Sequence, residues 1–195
     1  MSRDIRVFGE LELLELVRRG EPLPDHLVSI GNPRLPWRPA MPGERLPPEF
    51  RGRFRRILRL TFFDVERKDL LGAMRPRRIP EARDVRRLLR FWERSKHEAT
   101  GYVLHCWGGV SRSTAMALGL LYLDSGSEAA AASRLRELRP EAGPHRGILR
   151  HLDAELGSRL LEAGEAIVAA RMEAWRRELD MELAVLCEEL PAVEE

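Results

Sequence analysis

Residues 105–113 carry side chains that can do covalent chemistry, and they read His-Cys-Trp-Gly-Gly-Val-Ser-Arg-Ser. Cys106 supplies a thiol, and Arg112, six positions later, supplies a planar guanidinium that suits phosphate. A short apolar run over 102–104 predicts a strand directly before the cysteine, and a helix is predicted after Ser111. A tight loop between a strand and a helix aims backbone N–H groups and the positive end of the helix dipole at one point. The segment therefore predicts an anion site.

The same residue types predict a nucleophile at that site. The N–H groups and the helix terminus stabilise a thiolate on Cys106 as they would a phosphate oxygen. Gly109 allows the backbone angles that the curl of the loop needs, and Arg112 can hold two phosphate oxygens more tightly as charge spreads in the transition state. The hydroxyl of Ser113 can donate to the Cys106 sulfur, and His105 is expected to orient the loop from behind through hydrogen bonds. Together these residues predict phosphoryl transfer through the cysteine.

This pattern, Cys-x5-Arg followed by Ser, resembles the signature of the protein tyrosine phosphatase superfamily, in the form typical of dual-specificity and compact bacterial tyrosine phosphatases. Segments 138–140 and 144–147 resemble the Arg-Pro and Pro-Asn run that those proteins carry after the signature, with His145 where Asn is common. The resemblance covers roughly residues 5–156. It implies an α/β fold with a central, mostly parallel sheet flanked by helices.

The resemblance also implies an activity. Phosphomonoesters would be hydrolysed through a phosphocysteine on Cys106 without a metal or other cofactor, since the loop N–H groups and Arg112 supply the positive charge. A protein tyrosine or dual-specificity phosphatase is the preferred interpretation, because no other Lys or Arg occupies the loop and enzymes for lipid or inositol phosphates commonly carry one there. The alternatives are a phosphatase of phosphoinositides or small phosphomonoesters, and a catalytically weak module that captures phosphate. The residues expected to bind the phosphate are Trp107, Gly108, Gly109, Val110, Ser111 and Arg112.

Such a reaction needs a general acid, because an alkoxide or phenoxide leaves poorly. In the family this acid is an Asp on the loop after the strand that precedes the crossover helix. Asp64, which follows the strand predicted over 57–62, occupies that place, and Asp69 on the same loop is the alternative. Asp84 falls inside the next predicted helix and is expected on a solvated face.

The remaining periodicity predicts alternating strands and helices, with two irregular connections rich in Pro, Gly and Arg over 31–48 and 63–80. The further predicted strands are 5–8 and 26–30, and the further predicted helices are 10–19, 81–96, 127–138 and 144–156.

The chain ends in a predicted amphipathic helix from 159 to about 190, with a possible bend near Gly164. We predict a phosphatase domain over 1–157 and a helical extension over 158–195. The apolar stripe of this helix is expected to pack against its own domain, with homodimer formation or partner binding as the alternative. The stripe consists of Ile167, Trp175, Leu179, Leu183, Leu186 and Leu190.

Composition excludes several classes of protein. The 195 residues carry a net charge of +2, and acids and bases are interleaved, which predicts no nucleic-acid partner. No apolar run approaches the length that spans a bilayer, so we expect no membrane partner and a cytoplasmic location. The two cysteines, Cys106 and Cys187, are far apart and in no ligand spacing, so neither a structural disulfide nor a zinc site is expected.

Overall fold

The computed structural model describes residues 3–35, 39, 43–66 and 78–188, with side chains up to Leu183 in the last helix. Within these residues, four parallel strands form one sheet: β1 (Asp4–Gly9), β2 (His26–Gly31), β3 (Arg56–Thr61) and β4 (Gly101–Cys106). Their order in the sheet is β1-β4-β2-β3. The helices are α1 (Glu10–Arg18), α2 (Pro48–Arg53), α3 (Ala82–Ser95), α4 (Arg112–Ser125), α5 (Glu128–Leu138), α6 (Arg146–Leu156) and α7 (Leu160–Glu188). The predicted α/β fold is confirmed.

Both faces of the sheet are covered, because strands alternate their side chains between two cores. On one face, Tyr102 and Leu104 of β4 join a large core built with α3 to α7. On the other face, Val103 packs with Leu13 of α1 and Phe50 of α2. The sheet therefore lies in the middle layer of three, with no solvated face along β4.

The register of the parallel strands brings their carboxyl ends to one edge. Gly9 of β1 pairs with Cys106 of β4, and Ser29 of β2 pairs with His105. Strand β4 is longer than the predicted 102–104 and includes the cysteine itself. Ligands of open parallel sheets bind outside this edge, which is where the 106–112 loop begins.

One short helix was not predicted. Helix α2 begins at Pro48, the last residue of the predicted irregular connection, and Pro is favoured in the first turn because its missing N–H has no partner to lose there. Its Phe50 is fully buried and stacks edge to face against His105 at a centroid distance of 5.2 Å. This helix thus closes the face of the sheet behind the 106–112 loop.

The prediction of a solvated Asp84 is wrong, because this side chain is fully buried. Its carboxylate accepts a hydrogen bond from the Glu81 backbone N–H at 3.2 Å and forms an ion pair with Arg78. Arg78 also donates to Thr61 Oγ1 at 2.9 Å. The pair ties the first turn of α3 to the end of β3, and helical periodicity alone does not reveal a cation that lies outside the helix.

Helix α7 runs without a break through Gly164. A Cβ at this position would lie 2.4 Å from Leu149 Cδ1, so the glycine allows close packing of α7 on α6. Ile167 is buried as expected, whereas Trp175 and Leu179 are 57% and 37% exposed. The expectation that the whole stripe packs on its own domain is therefore wrong for Trp175, Leu179 and Leu183, which is 49% exposed. The side chains of Leu186 and Leu190 lie outside the described part of the chain. None of the helices described here is both long and apolar enough to cross a bilayer.

Candidate active site

Cys106 lies at the bottom of the loop that joins β4 to α4. It is only 2% exposed, and its Sγ lies 3.2 Å from the hydroxyl oxygen of Ser113. Ser113 is fully buried in the first turn of α4. The structure thus brings together the thiol and the hydroxyl that the sequence pairs, at the N-terminus of a 14-residue helix whose dipole favours negative charge.

The curl of the 106–112 loop depends on Gly109. Its φ is +71°, in the left-handed region. A Cβ on this residue would lie 2.5 Å from the Gly9 nitrogen and 2.6 Å from the Phe8 carbonyl carbon, so the loop rests directly on the backbone at the end of β1. Gly108 differs in both respects, since its φ is not positive and a Cβ there would meet nothing within 4 Å.

Arg112 is held rigidly at the mouth of the loop. Its side chain is 3% exposed, and its Nη1 donates to Asn32 Oδ1 at 2.8 Å and to the Phe62 carbonyl oxygen at 2.9 Å. Its Nε lies 3.5 Å from Asp64 Oδ2. The ends of β2 and β3 therefore fix the guanidinium plane, which is the geometry that bidentate recognition of phosphate needs.

Asp64 lies in the segment that follows β3, and its side chain contacts the 106–112 loop. Its Oδ1 accepts a hydrogen bond from Ser111 Oγ at 2.7 Å, and its side chain is 40% exposed. The structure thus places this candidate acid next to the candidate phosphate-binding arginine. Asp69, the alternative acid, lies outside the described residues.

A polar row runs behind the loop, across three strands. The Arg59 guanidinium donates to Ser29 Oγ at 2.5 Å, so the Ser29 hydroxyl is free to donate to His105 Nε2, 2.7 Å away. Burial is the largest cause that lowers the pKa of His105, to about 3, and the Arg59 charge adds to it. The ring is therefore neutral, as an acceptor at Nε2 must be. His105 supports the loop from below, which matches the position predicted for it.

The residues that anchor the segment preceding α2 are not evident from the sequence pattern. Glu10, buried at the start of α1, accepts a hydrogen bond from the Gly43 N–H at 2.9 Å, and burial raises the pKa of its carboxyl. Arg59 donates to the Gly43 carbonyl oxygen at 2.9 Å. Trp107, 47% exposed, lies beside Gly43, and its carbonyl oxygen accepts from the Glu10 N–H at 3.1 Å. Glu10 thus joins the 106–112 loop to this segment.

Asn32 was also missed, although one signal for it existed. It directly follows Gly31, the last residue of β2, and polar residues after parallel strands meet at one edge of the sheet. Glu10 and Arg59 offer no such signal, since a charged residue at a helix start or on an edge strand is ordinarily solvated.

The solved structures that match this chain include tyrosine and dual-specificity phosphatases and a human tyrosine phosphatase-like serine/threonine/tyrosine-interacting protein. Tk-PTP in its active form matches with a TM-score of 0.51 and 22% identity, over 83% of this chain and 92% of that one. PTPMT1 matches with a TM-score of 0.51 and 16% identity, over 88% and 98%. The Yvh1 phosphatase domain from Chaetomium thermophilum matches with a TM-score of 0.51 and 18% identity, over 82% and 95%.

These likenesses establish the fold. The chain has the fold of the protein tyrosine phosphatase superfamily, in its dual-specificity-like form, as the residues of the 106–112 loop predict. The sequence matches no protein-family model and no curated protein.

The two adjacent glycines of the loop should differ sharply in their tolerance of a methyl group. We expect Gly109→Ala to destabilise the fold by about 1–3 kcal/mol from the left-handed backbone alone, and to displace the loop because its Cβ meets the β1 backbone. Gly108→Ala, the matched control, should leave stability within about 0.5 kcal/mol of the wild type. Urea unfolding of both variants measures the difference, and equal stabilities would contradict the contact with β1.

Burial of neutral His105 should make the fold sensitive to acid. Because its pKa is lowered to about 3 in the folded protein from 6.5, the unfolded chain binds the extra proton first, and stability is lost as pH falls below 6.5. Between pH 7 and pH 5 this loss is about 2 kcal/mol. His105→Gln keeps an acceptor for Ser29 and does not titrate, so its free energy of unfolding should fall by about 2 kcal/mol less over that interval. Parallel pH dependences in urea unfolding would show that His105 is not the titrating group.

Proposed function

We propose that the chain is a cysteine-dependent phosphatase that hydrolyses phosphomonoesters through a phosphocysteine on Cys106. The thiolate attacks phosphorus, a sulfur–phosphorus bond forms, and the bond to the leaving oxygen breaks. Protonated Asp64 gives its proton to that oxygen as it departs. The backbone N–H groups of the 106–112 loop and the Arg112 guanidinium hold the phosphoryl oxygens.

The second step restores the enzyme. Water attacks the phosphorus and gives a proton to the Asp64 carboxylate, which now acts as a base. The sulfur–phosphorus bond breaks, inorganic phosphate forms, and the Cys106 thiolate leaves with a hydrogen bond from the Ser113 hydroxyl. Every proton is accounted for within the site, so the proposal requires no additional cofactor.

One observation carries this proposal: nucleophile, phosphate ligand and acid converge at the N-terminus of α4. Cys106 Sγ lies 3.2 Å from Ser113, Arg112 is held by Asn32 and Phe62, and Asp64 lies 3.5 Å from Arg112 Nε. A buried cysteine that served only as a small hydrophobe would need none of these polar neighbours.

We further propose phosphoproteins as the substrate class. The 106–112 loop offers one cationic side chain, Arg112, and the other positions are Trp, Gly, Gly, Val and Ser. A single monoester group, as on a phosphorylated side chain, is matched by one guanidinium and a ring of N–H groups. A headgroup with several phosphates would need further cations at the loop.

The mechanism is tested by hydrolysis of para-nitrophenyl phosphate in the presence of EDTA. We expect wild-type activity to survive the chelator and Cys106→Ser to lose at least about a thousandfold in kcat, because a serine hydroxyl is not ionised at this site. Asp64→Ala should lose about 10²–10⁴-fold on a substrate with a poor leaving group and much less on para-nitrophenyl phosphate.

The matched control for the acid is Asp69→Ala, on the same connection. If Asp64 is the acid, Asp69→Ala retains the wild-type pH profile and Asp64→Ala loses the alkaline limb. The opposite result transfers the role to Asp69. A folded wild-type protein that binds phosphate but turns over neither substrate would overturn the enzymatic proposal in favour of a phosphate-binding module.

We also propose that the chain forms a homodimer through the exposed part of α7. From Met172 to Leu183 this helix is exposed, and an isolated helical segment of about 18 Å is marginally stable in water without a partner. Four exposed apolar residues recur along one side at helical spacing, and we call them the α7 stripe. They are Met172 (47% exposed), Trp175 (57%), Leu179 (37%) and Leu183 (49%).

The charges of this segment select an antiparallel pair. Residues 172–177 contain two Arg and one Glu, a net charge of +1, whereas residues 178–183 contain two Glu and one Asp, a net charge of −3. A parallel pair would set the acidic halves against each other. An antiparallel pair sets each acidic half against the basic half of the second copy, and the two stripes meet.

Self-association is tested on the wild type, Leu179→Glu and Met181→Glu by sedimentation velocity. Met181 is 66% exposed but lies two residues along, on the opposite side of the helix, so Met181→Glu is the matched control. We expect the wild type and Met181→Glu to be dimers. Leu179→Glu should be a monomer whose far-UV spectrum loses helical signal from this segment, because the segment is marginally stable without a partner. A monomeric wild type would exclude a second copy as the occupant of the stripe.

A further inference from the structure

His145 lies at the candidate active site, but the two-step reaction proposed above gives it no role. It is the N-cap residue of α6, is 5% exposed, and donates its backbone N–H to the Ser111 carbonyl oxygen at 3.2 Å. Its ring therefore sits against the end of the 106–112 loop. The Nε2 atom is buried without a hydrogen-bond partner among the described residues, and it lies 3.9 Å from Asp64 Oδ1.

The capping contact assigns the tautomer of this ring. The Ile148 N–H donates to His145 Nδ1 at 3.4 Å, as the side chain of an N-cap residue accepts from the first turn of its helix. A neutral imidazole that accepts at Nδ1 carries its proton on Nε2. The Nε2–H therefore faces the segment that contains Asp64, whose Val65 backbone also interacts with the ring.

We propose that His145 is a positioning residue that directs its Nε2–H at the Asp64 segment and holds the Asp64 carboxylate over the 106–112 loop. This inference rests on the proposed function, in which Asp64 is the acid. A shift of about 1 Å brings the Nε2–H and Asp64 Oδ1 into hydrogen-bond distance. The α6 helix then fixes the acid through its N-cap residue.

This arrangement distinguishes the two carboxylate oxygens. Ser111 Oγ donates to Oδ1 at 2.7 Å, and His145 Nε2 faces the same oxygen. Oδ2 is the atom near Arg112, at 3.5 Å from its Nε, and so lies on the side where the phosphate would bind. Oδ2 therefore carries the proton to the leaving oxygen in the first step and receives one from water in the second.

Burial keeps the His145 ring neutral. Burial lowers the pKa of the imidazole, and Arg112 lowers it further, whereas the Asp64 and Glu66 carboxylates and the Val65 backbone oppose the shift. Glu66 itself faces Arg150 of α6 at 3.8 Å. Because burial is the largest of these causes, His145 remains a donor without a net charge at neutral pH and does not form a strong salt bridge with Asp64.

Two substitutions separate positioning from the structural role of the cap. His145→Asn keeps a side chain that caps helices well, and its amide is too short to reach Asp64. His145→Gln places an amide N–H near the position of Nε2. We expect His145→Asn to lower kcat about tenfold on phenyl phosphate, a poor leaving group, to change little on para-nitrophenyl phosphate, and to shift the alkaline limb of the pH profile upward. His145→Gln should recover part of the lost rate.

The control uses Asp64→Asn, in which no acid remains to be positioned. His145→Asn should have no further effect on kcat in that background, and urea unfolding should show equal stability for wild type and His145→Asn. An active wild type whose rate and pH profile are unchanged by His145→Asn would overturn the role of His145 and leave the proposed function intact.

An inactive wild type would instead overturn the proposed function. In that case, His145 Nε2–H remains testable through the ¹⁵N shifts of its ring in wild type and Asp64→Asn, and equal shifts would contradict the contact.

Discussion

The contact of Gly109 with the backbone of Phe8 and Gly9 is the constraint on which the rest of the site depends. The back of the 106–112 loop rests on the end of β1, where a Cβ on Gly109 would lie 2.5 Å from the backbone. This contact requires β1 to be the neighbour of β4, and the register pairs Gly9 with Cys106. The order of the strands therefore determines where the loop can lie, and only a residue without a side chain fits between the loop and β1.

The row from Arg59 through Ser29 to His105 explains how a charged group can lie behind such a loop. Arg59 is half-buried on the β3 edge of the sheet, and burial lowers its pKa, while the Glu10 carboxylate opposes that shift. The guanidinium donates to Ser29 and to the Gly43 carbonyl oxygen, so its charge is met by dipoles. Through these two hydrogen bonds, Arg59 both supports the strand behind the loop and anchors the segment before α2.

Local patterns in the sequence were sufficient for most of the fold and for the centre of the site. The strand before Cys106, the helix after Ser111 and the glycine at 109 are read from neighbouring residues, because the loop is continuous in the chain. Asn32, Glu10, Arg59 and Ser29 come from other elements, and only the strand order brings them to the loop. The wrong prediction for Asp84 has the same cause, because its partner Arg78 lies outside the helix and is brought to it only by the fold. The prediction for the exposed part of α7 is wrong for a different reason. An amphipathic pattern indicates that one face of a helix is covered, but it does not indicate which partner covers that face.

The placement of Arg112 between the sheet edge and Asp64 links substrate binding to proton transfer in the proposed reaction. Its Nη1 is committed to Asn32 and Phe62, and no described residue accepts a hydrogen bond from its Nε. Asp64 Oδ2 lies 3.5 Å from that Nε. In the proposed reaction, a bound phosphate would accept hydrogen bonds from the guanidinium and would therefore lie beside Asp64. One rigid side chain would then hold the phosphoryl oxygens and set their distance from the acid.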